Sequence, residues 1–247
     1  DRLNLGGVHV PLRIRSMVGL VPLFTVEMLE DETLARPPAF RKRLQWFLAN
    51  RKDLAGRISY LEPAGAHGHA HHVISIPSKA RLLRVLRYVL DEREFLSPHG
   101  VRSLSRHHRD EPFVFEAGGQ VHRVDYEPGE STTGMFGGNS NWRGPIWFPM
   151  NFLLVEALER YYHAYGDELK VECPTGSGRH LTLDEVAKEL ARRLTSLFLP
   201  GTNGMRPCFG GAERFRDDPD WRDLLLFHEY FDGDTGRGLG AGHQTGW

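Results

Sequence analysis

The chain has 247 residues, of which 40% are hydrophobic and 26% charged, and its formal net charge is −1. These values are typical of a globular protein and give no long-range attraction to nucleic acid or to an anionic membrane. No apolar run approaches the roughly 20 residues that a membrane-spanning helix needs. Two cysteines, Cys173 and Cys208, are too few for a disulfide framework and favour a reducing, cytoplasmic location, although the sequence leaves one bridge between them open.

Apolar residues recur at helical spacing in several parts of the chain. The pattern predicts helices over residues 17–29, 40–48, 82–90, 145–165 and 183–198. In the fourth, Pro145 is expected in the first turn, and the helix is apolar on so much of its circumference that we expect burial on more than one side. The fifth begins at a capping box, because Glu185 follows Thr182 at the required spacing.

Long connections rich in Gly, Pro, Ser and Asn separate these helices, over residues 62–77, 97–141 and 199–247. Loops of this length within a compact domain often build a functional site. One of them contains two short β-rich runs, 113–115 and 120–126, which predict a hairpin across Gly118-Gly119.

A first candidate for chemistry is the segment 137–147, which reads GGNSNWRGPIW. It places two indole rings, a guanidinium and two amides before the buried helix. Tryptophan stacks on the C–H face of a sugar ring, while Arg and Asn hydrogen-bond its hydroxyls. The alternative is a glycine-rich turn whose tryptophans pack in the core, and for either Trp alone the two readings are about equal.

A second candidate is the segment 227–236, which reads FHEYFDGDTG. Glu229 lies among aromatic residues, which keep a carboxyl partly dehydrated and suit it to proton transfer. Asp232 and Asp234 lie next to glycines and are expected to form turns. A calcium loop is a competing interpretation, but the segment lacks the ligand number and spacing of an EF-hand. Taken alone, Glu229 is more often a surface or ion-paired carboxylate.

Three further segments are weaker candidates. Residues 243–247, HQTGW, form another polar and aromatic cluster, whereas most of segment 94–105 is explained by the helix-ending Pro98 and Gly100. Four histidines crowd a Gly/Ala-rich stretch, but their spacing gives no helix face and no Cys or carboxylate pair completes a ligand shell. We therefore expect no functional metal at these histidines, which are His67, His69, His71 and His72.

Together these motifs, with RIRSMVGL at 13–20, FLSPHGVRS at 95–103 and ECPTGSG at 172–178, resemble the catalytic domain of the family 63 glycoside hydrolases. That family includes the processing α-glucosidase of the endoplasmic reticulum, bacterial α-glucosidases and the mannosylglycerate hydrolases. The NWRGPIW segment is the most specific of the matches. The similarity extends nearly from end to end, and the greatest similarity is to large bacterial members.

The resemblance implies an all-α fold, an (α/α)6 toroid of the six-hairpin type. We expect the chain to contain roughly the C-terminal half of that toroid, as part of one catalytic domain truncated at both ends. The implied reaction is hydrolysis of an α-glycosidic bond with inversion, without a cofactor or metal. Inversion needs a general acid and a general base on opposite sides of the bond.

By the same matching, Glu229 corresponds to the general base. The general acid of the family is an Asp in a glycine-rich loop upstream, and no position of this chain matches that motif, so we expect the chain alone to be inactive. The implied sugar-binding residues are Trp142, Arg143, Trp147, His243, Gln244 and Trp247, with Tyr126 as a weaker candidate. Glu130 is a further weak candidate, with an ion pair to Arg143 as its alternative role.

The expected partner is an α-linked oligosaccharide or a small glycoside such as a glucosylglycerate or mannosylglycerate, with no nucleic acid and no membrane. The sequence does not identify the sugar, the linkage or the oligomeric state. Two alternatives stay open: a homologue that binds carbohydrate without cleaving it, and a trehalase- or glucoamylase-like enzyme with the same toroid.

Overall fold

The computed structural model describes residues 2–30, 37–56, 58–61, 71–135 and 140–242. The chain divides into two compact units. The first consists of Asp1–Gly19, Val89–Asn151 and Leu190–Trp247, and the second of Leu20–Tyr88 and Phe152–Glu189.

Helices and short strands alternate along the described chain. The helices are α1 (Val21–Phe24), α2 (Pro38–Asn50), α3 (Lys52–Ala55), α4 (Lys79–Val89), α5 (Phe148–Tyr165), α6 (Leu183–Ser196) and α7 (Arg214–Asp217). The strands are β1 (Arg2–Leu5), β2 (Val8–Pro11), β3 (Val26–Glu30), β4 (Ser59–Leu61), β5 (His71–Ser75), β6 (Leu96–Ser97), β7 (Gly100–Val101), β8 (Phe113–Ala117), β9 (Gln120–Val124), β10 (Lys170–Glu172), β11 (His180–Thr182), β12 (Tyr230–Phe231) and β13 (Gly238–Leu239).

The sheets are small and antiparallel. Strands β3, β5 and β4 form a three-stranded sheet in that order, and the others pair as β1-β2, β6-β7, β8-β9, β10-β11 and β12-β13. The predicted all-α class is therefore not what the described residues show, because the long connections between the helices contain these hairpins. Four predicted helices are present as α2, α4, α5 and α6, but the toroid itself is not shown.

The core of the first unit includes three clusters of buried side chains. One cluster joins Ile146 and Phe231 to Leu194, Leu197 and Cys208. Two smaller clusters lie beside it, one around Tyr126 with Leu104 and Val124, and one around Trp147 with Tyr230 and Leu239. Residues distant in sequence therefore converge in this unit.

In the second unit, the buried side chains of α5 lie on one helical stripe. The stripe of α5 consists of Leu154, Ala157, Leu158, Tyr161 and Ala164. Phe152 and Leu153 on the same helix are 56% and 44% exposed, so the expectation that this helix is buried on more than one side is wrong.

Two predicted helix boundaries are also wrong. Residues 17–29 are helical only as far as Phe24, since Val26–Glu30 pairs with His71–Ser75 as a strand. Helix α5 begins at Phe148, because Ile146 forms β-bridges to Arg102 and Phe231 and so holds Pro145 outside the helix. In both places pairing with a distant segment overrides the local apolar period.

Two local predictions are confirmed. The capping box closes at α6, where the Thr182 N–H donates to Glu185 Oε2 at 2.8 Å and the Glu185 N–H donates to Thr182 Oγ1 at 3.3 Å. Strands β8 and β9 form the predicted hairpin, and its turn residues Gly118 and Gly119 have φ angles of 59° and 74°, which glycine adopts without strain. Within the described residues, no helix is both long enough and apolar enough to span a bilayer.

Candidate active site

The candidate site is assembled by backbone pairing between two distant segments. The Ile146 N–H donates to the Phe231 carbonyl at 2.7 Å, and the Phe231 N–H donates to the Ile146 carbonyl at 3.0 Å. These two bonds place Trp147 next to Tyr230. As a result, the tryptophan-rich segment and the segment that carries Glu229 lie side by side.

Three aromatic rings form a stack at this junction. The rings of Trp142 and Trp147 lie 4.0 Å apart at an interplanar angle of 4°, and those of Trp147 and Tyr230 lie 4.9 Å apart at 23°. Trp147 and Tyr230 are 1% and 0% exposed, whereas Trp142 is only partly buried. Trp142 is therefore the accessible end of a stack whose other rings are fixed in the core.

Glu229 lies beside this stack and is partly buried. The Ser140 hydroxyl donates to its Oε1 at 2.9 Å, and the Glu229 N–H donates to the Ala241 carbonyl at 2.9 Å. Gly240 has a φ of 67°, and a Cβ built there lies 2.8 Å from both Glu229 Oε2 and Tyr230 Cε1. The absence of a side chain at Gly240 therefore makes room for the carboxylate next to the tyrosine ring.

The Tyr230 hydroxyl is the next polar group in the same corner. It donates to Glu130 Oε2 at 3.1 Å. Burial, together with the negative charges of Glu130 and Glu229, raises the pKa of Tyr230 to about 12. Two carboxylates therefore act on one phenol, which stays protonated at neutral pH and keeps its role as a hydrogen-bond donor.

Arg143 is almost completely buried, with 1% exposure. Its Nη2 pairs with Glu127 Oε2 at 2.5 Å and donates to Ser131 Oγ at 2.9 Å. The Glu127 N–H also donates to the Arg143 carbonyl at 2.6 Å, which holds the two residues side by side. The ion pair of Arg143 is therefore with Glu127, and the alternative role of Glu130 as its partner is wrong.

Tyr126 belongs to a second polar cluster, with Arg102 and Asp234. The Tyr126 hydroxyl donates to Asp234 Oδ1 at 2.9 Å and accepts from Arg102 Nε at 2.9 Å. Arg102 also pairs with Asp234 at 3.2 Å, and Arg109 pairs with the other carboxylate oxygen. Burial raises the pKa of the Asp234 carboxyl, but the Tyr126 hydroxyl and the two guanidiniums together outweigh it and lower the pKa.

Comparisons with known proteins place the chain in a family. A family model described as "Mannosylglycerate hydrolase MGH1-like glycoside hydrolase domain" matches residues 39–247. The chain belongs to this family. The match confirms the resemblance that the sequence motifs indicated.

The chain is also similar to two proteins from yeasts. The "Uncharacterized protein YMR196W" of Saccharomyces cerevisiae is 49% identical over 250 residues, which cover 100% of this chain and 23% of the relative. The "Probable mannosyl-oligosaccharide glucosidase" of Schizosaccharomyces pombe is 28% identical over 167 residues, which cover 68% of this chain and 14% of the relative. The chain thus spans less than a quarter of the length of either relative.

Within this glycoside hydrolase domain, the predicted site residues divide into three groups. Glu229 and Trp142 lie together and are accessible in part. Arg143, Trp147 and Tyr126 are 1%, 1% and 6% exposed, and their contacts described above are internal, so sugar contact by these three stays a prediction. His243, Gln244 and Trp247 lie outside the described residues, as do Gly137–Asn139 of the tryptophan-rich motif, and their roles also stay predictions.

The sequence analysis missed several residues that organise the site. Arg102 is 2% exposed and connects Tyr126 to Asp234. From the sequence, Asp234 was expected only to form a turn. Ser140 and Asn141 stand inside the tryptophan-rich motif, yet the motif does not show which of its polar groups faces Glu229. Asp232 does form the expected turn, since its Oδ1 accepts from the N–H groups of Asp234 and Thr235.

The glycoside hydrolase domain also contains a cavity that the predicted site residues do not line. A cavity of about 920 Å³ is lined by residues that include His99, Arg206, Asp232 and Arg237, none of which is a predicted site residue. In the part of the chain that the structure describes, no group of three or more His, Cys, Asp or Glu side chains is placed to hold a metal ion.

Proposed function

We propose that the full-length protein hydrolyses an α-glycosidic bond with inversion, and that Glu229 is its general base. The observation that carries this proposal is the setting of Glu229. Its carboxylate is partly buried beside an aromatic stack, accepts a hydrogen bond from a neutral hydroxyl, and forms no ion pair within the described residues. A carboxylate without a cationic partner is available to hydrogen-bond a water molecule, as a general base must do.

The reaction follows from this placement. A water molecule beside Glu229 attacks the anomeric carbon as Glu229 accepts one of its protons. The bond from that carbon to the leaving oxygen breaks, and a general acid protonates the oxygen from the opposite side. The family resemblance assigns the acid to an Asp in a segment upstream of this chain, and the two carboxyl groups of an inverting enzyme lie roughly 6.5–9.5 Å apart.

The accessible ring of Trp142 supplies the sugar-binding surface in this proposal. The apolar C–H face of a pyranose stacks on an indole, and Trp147 behind it fixes the ring orientation at 4.0 Å. We propose that Arg143 and Tyr126 support this sugar-binding surface from below. Arg143 follows Trp142 in the chain, and the Tyr126 hydroxyl donates to Asp234 in the turn that follows β12. We propose that His243, Gln244 and Trp247, which lie outside the described residues, also bind the sugar.

The proposal also covers the complete fold, the substrate, the absence of a cofactor and the location. We propose that the domain completes an (α/α)6 toroid in the full-length protein, with an α-linked oligosaccharide or a small glycoside as substrate and without a cofactor. We also propose a reducing, cytoplasmic location. In its favour, the chain has only two cysteines, too few for a disulfide framework, and both are buried.

The experiment that tests this function uses the full-length protein and a panel of α-linked disaccharides together with glucosylglycerate and mannosylglycerate. Free glucose or mannose is measured for the wild type and for Glu229→Gln. Glu213→Gln is the matched control, because Glu213 is exposed in the same unit.

Release by the wild type and by Glu213→Gln, but not by Glu229→Gln, supports the hydrolase and names its substrate. Sugar binding without release from any substrate contradicts the proposal and favours the non-catalytic carbohydrate-binding homologue. Equal release by Glu229→Gln removes Glu229 from the role of base.

A further inference from the structure

Glu130, a weak sugar-binding candidate in the sequence, lies at the same corner as Glu229, and the proposed reaction does not use its carboxylate. The side chain is exposed, and its Oε2 accepts the hydrogen bond from the Tyr230 hydroxyl at 3.1 Å. The nearby Arg143 pairs with Glu127 instead. Among the described residues, Glu130 therefore has a hydroxyl donor but no cation to balance its charge.

The loop that carries Glu130 is fixed against the aromatic stack. Asn141 is fully buried, and its Nδ2 donates to the carbonyls of Glu127 and Gly129, each at 2.7 Å. The neighbouring Trp147 Nε1 donates to the Asn141 carbonyl at 3.0 Å. The backbone before Glu130 is thus held by the same residue that accepts from Trp147, and the Glu130 carboxylate lies at the Tyr230 end of the stack.

Glu229 brings a second negative charge to this place. Its Oε2 and the Tyr230 ring both pack on Gly240, while Glu130 accepts from the hydroxyl of the same ring. Burial is the largest cause of the raised pKa of Tyr230, and both carboxylates raise it further. Within the described chain, no Lys, Arg or His forms an ion pair with either carboxylate.

We propose that Glu130 determines the charge specificity of the sugar subsite at Trp142, by selecting neutral or cationic sugar rings and rejecting anionic ones such as uronic acids. The inference rests on the proposed function. Sugar hydroxyls donate hydrogen bonds, and those to an ionised carboxylate are stronger than those to a neutral acceptor. A carboxylate on the ring has no donor to offer at neutral pH and is repelled by both glutamates.

The experiment measures binding to the full-length protein for three matched ligands: methyl α-glucoside, its uronate and its 6-amino derivative. Ligand-detected NMR gives the three affinities at neutral pH and low salt. In the wild type we expect the uronate to bind at least about tenfold more weakly than the neutral glucoside, and the amine several-fold more tightly. Added salt reduces both differences because it screens the charges.

The decisive variant is Glu130→Gln, which removes the charge of an exposed side chain and keeps its shape. We expect the three affinities to come within about threefold of one another in this variant. Glu213→Gln, the same substitution at an exposed position, keeps the wild-type order. The thermal midpoint of Glu130→Gln is measured alongside, and a midpoint equal to that of the wild type shows that the fold is retained.

The outcomes separate this inference from the proposed function. If the neutral glucoside binds but the wild type shows no charge preference, or if the preference persists in Glu130→Gln, the role of Glu130 is wrong while the sugar site stands. If none of the three ligands binds, the sugar site at Trp142 is wrong, and the role of Glu130 is wrong with it.

Discussion

Glu229 and Asp234 belong to one short segment of the chain, yet their surroundings differ in charge. Asp234 accepts from the Tyr126 hydroxyl and pairs with two guanidiniums, those of Arg102 and Arg109. Glu229 accepts from the Ser140 hydroxyl and, within the described residues, has no cationic partner. The segment thus has one compensated and one uncompensated carboxylate.

The difference separates a structural role from a chemical one. Removing one member of a buried ion pair leaves the other charge without compensation, so a compensated carboxylate contributes mainly to stability. A carboxylate without a cation is free to bind and release a proton during a reaction. We therefore expect substitutions at the two positions to affect different measurements.

The largest effect is expected at Glu229. Glu229→Gln keeps the shape and the hydrogen bond to Ser140 but cannot accept a proton, so we expect kcat of the full-length protein to fall by about 10²-fold or more. Sugar binding, measured by calorimetry, stays close to that of the wild type.

Two outcomes would contradict the distinction between a chemical role for Glu229 and a structural role for Asp234. A loss of kcat of only a few-fold removes Glu229 from the base role. A matching loss of stability, measured as the urea midpoint, shows that Glu229 is also a structural carboxylate.

The next largest effect is expected at Asp234 and concerns stability. Asp234→Asn leaves the 2%-exposed Arg102 without its anionic partner, so we expect a loss of about 2–3 kcal/mol, which is less than for a fully buried pair because the Asp234 side chain is 27% exposed. Urea unfolding of the full-length protein measures the change. The control is Asp217→Asn, where an exposed aspartate bonds its neighbour Arg216 and we expect almost no change.

The stabilisation by Asp234 also depends on pH in a defined direction. Because the folded-state pKa of Asp234 is lowered, the stabilisation is fully present above its unfolded pKa of about 4 and is lost as the pH falls through the lower folded value. The difference in unfolding free energy between wild type and Asp234→Asn is therefore constant near neutral pH and shrinks in acid. A difference that grows as the pH falls contradicts the assignment.

A smaller effect is expected at Trp142, the accessible end of the stack. Trp142→Ala removes the stacking surface, and we expect sugar binding to weaken by about 1 kcal/mol or more. Calorimetry on the full-length protein checks this, with Trp46→Ala as the control, since Trp46 is 59% exposed and lies in the other unit. Unchanged affinity in Trp142→Ala returns Trp142 to a packing role.

The sequence predicted those features that depend on near neighbours. The capping box at Thr182 and the hairpin at Gly118-Gly119 each use a few consecutive residues, and both are present. The strand Val26–Glu30 was not predicted because its partner His71–Ser75 is distant in sequence and its apolar residues also fit a helical period. Local patterns do not contain the pairing that decides between these two structures.

The same limit applies to the site. The motifs made Glu229 and Trp142 candidates, because unusual residue types stand close together there, and both remain predictions. They did not identify Arg102 as the partner of Asp234, because the two residues are 132 positions apart in the sequence. Nor did they distinguish Glu127 from Glu130 as the partner of Arg143, because both lie in one short loop and only the Glu127 backbone bond to Arg143 decides.

The smallest effect is expected at Ser140, the one side chain seen to donate to Glu229 in the described structure. Ser140→Ala removes this hydrogen bond of 2.9 Å, which contributes about 0.5–1 kcal/mol to placing the carboxylate. We expect a reduction of kcat by a few-fold with little change in stability, measured by initial rates and by the urea midpoint. The matched control is Ser177→Ala, because the Ser177 hydroxyl is exposed and bonds only backbone groups nearby in the chain, the Pro174 carbonyl and the Arg179 N–H. A reduction as large as that of Glu229→Gln means that Ser140 itself acts on the substrate, because losing one neutral hydrogen bond cannot account for so large an effect.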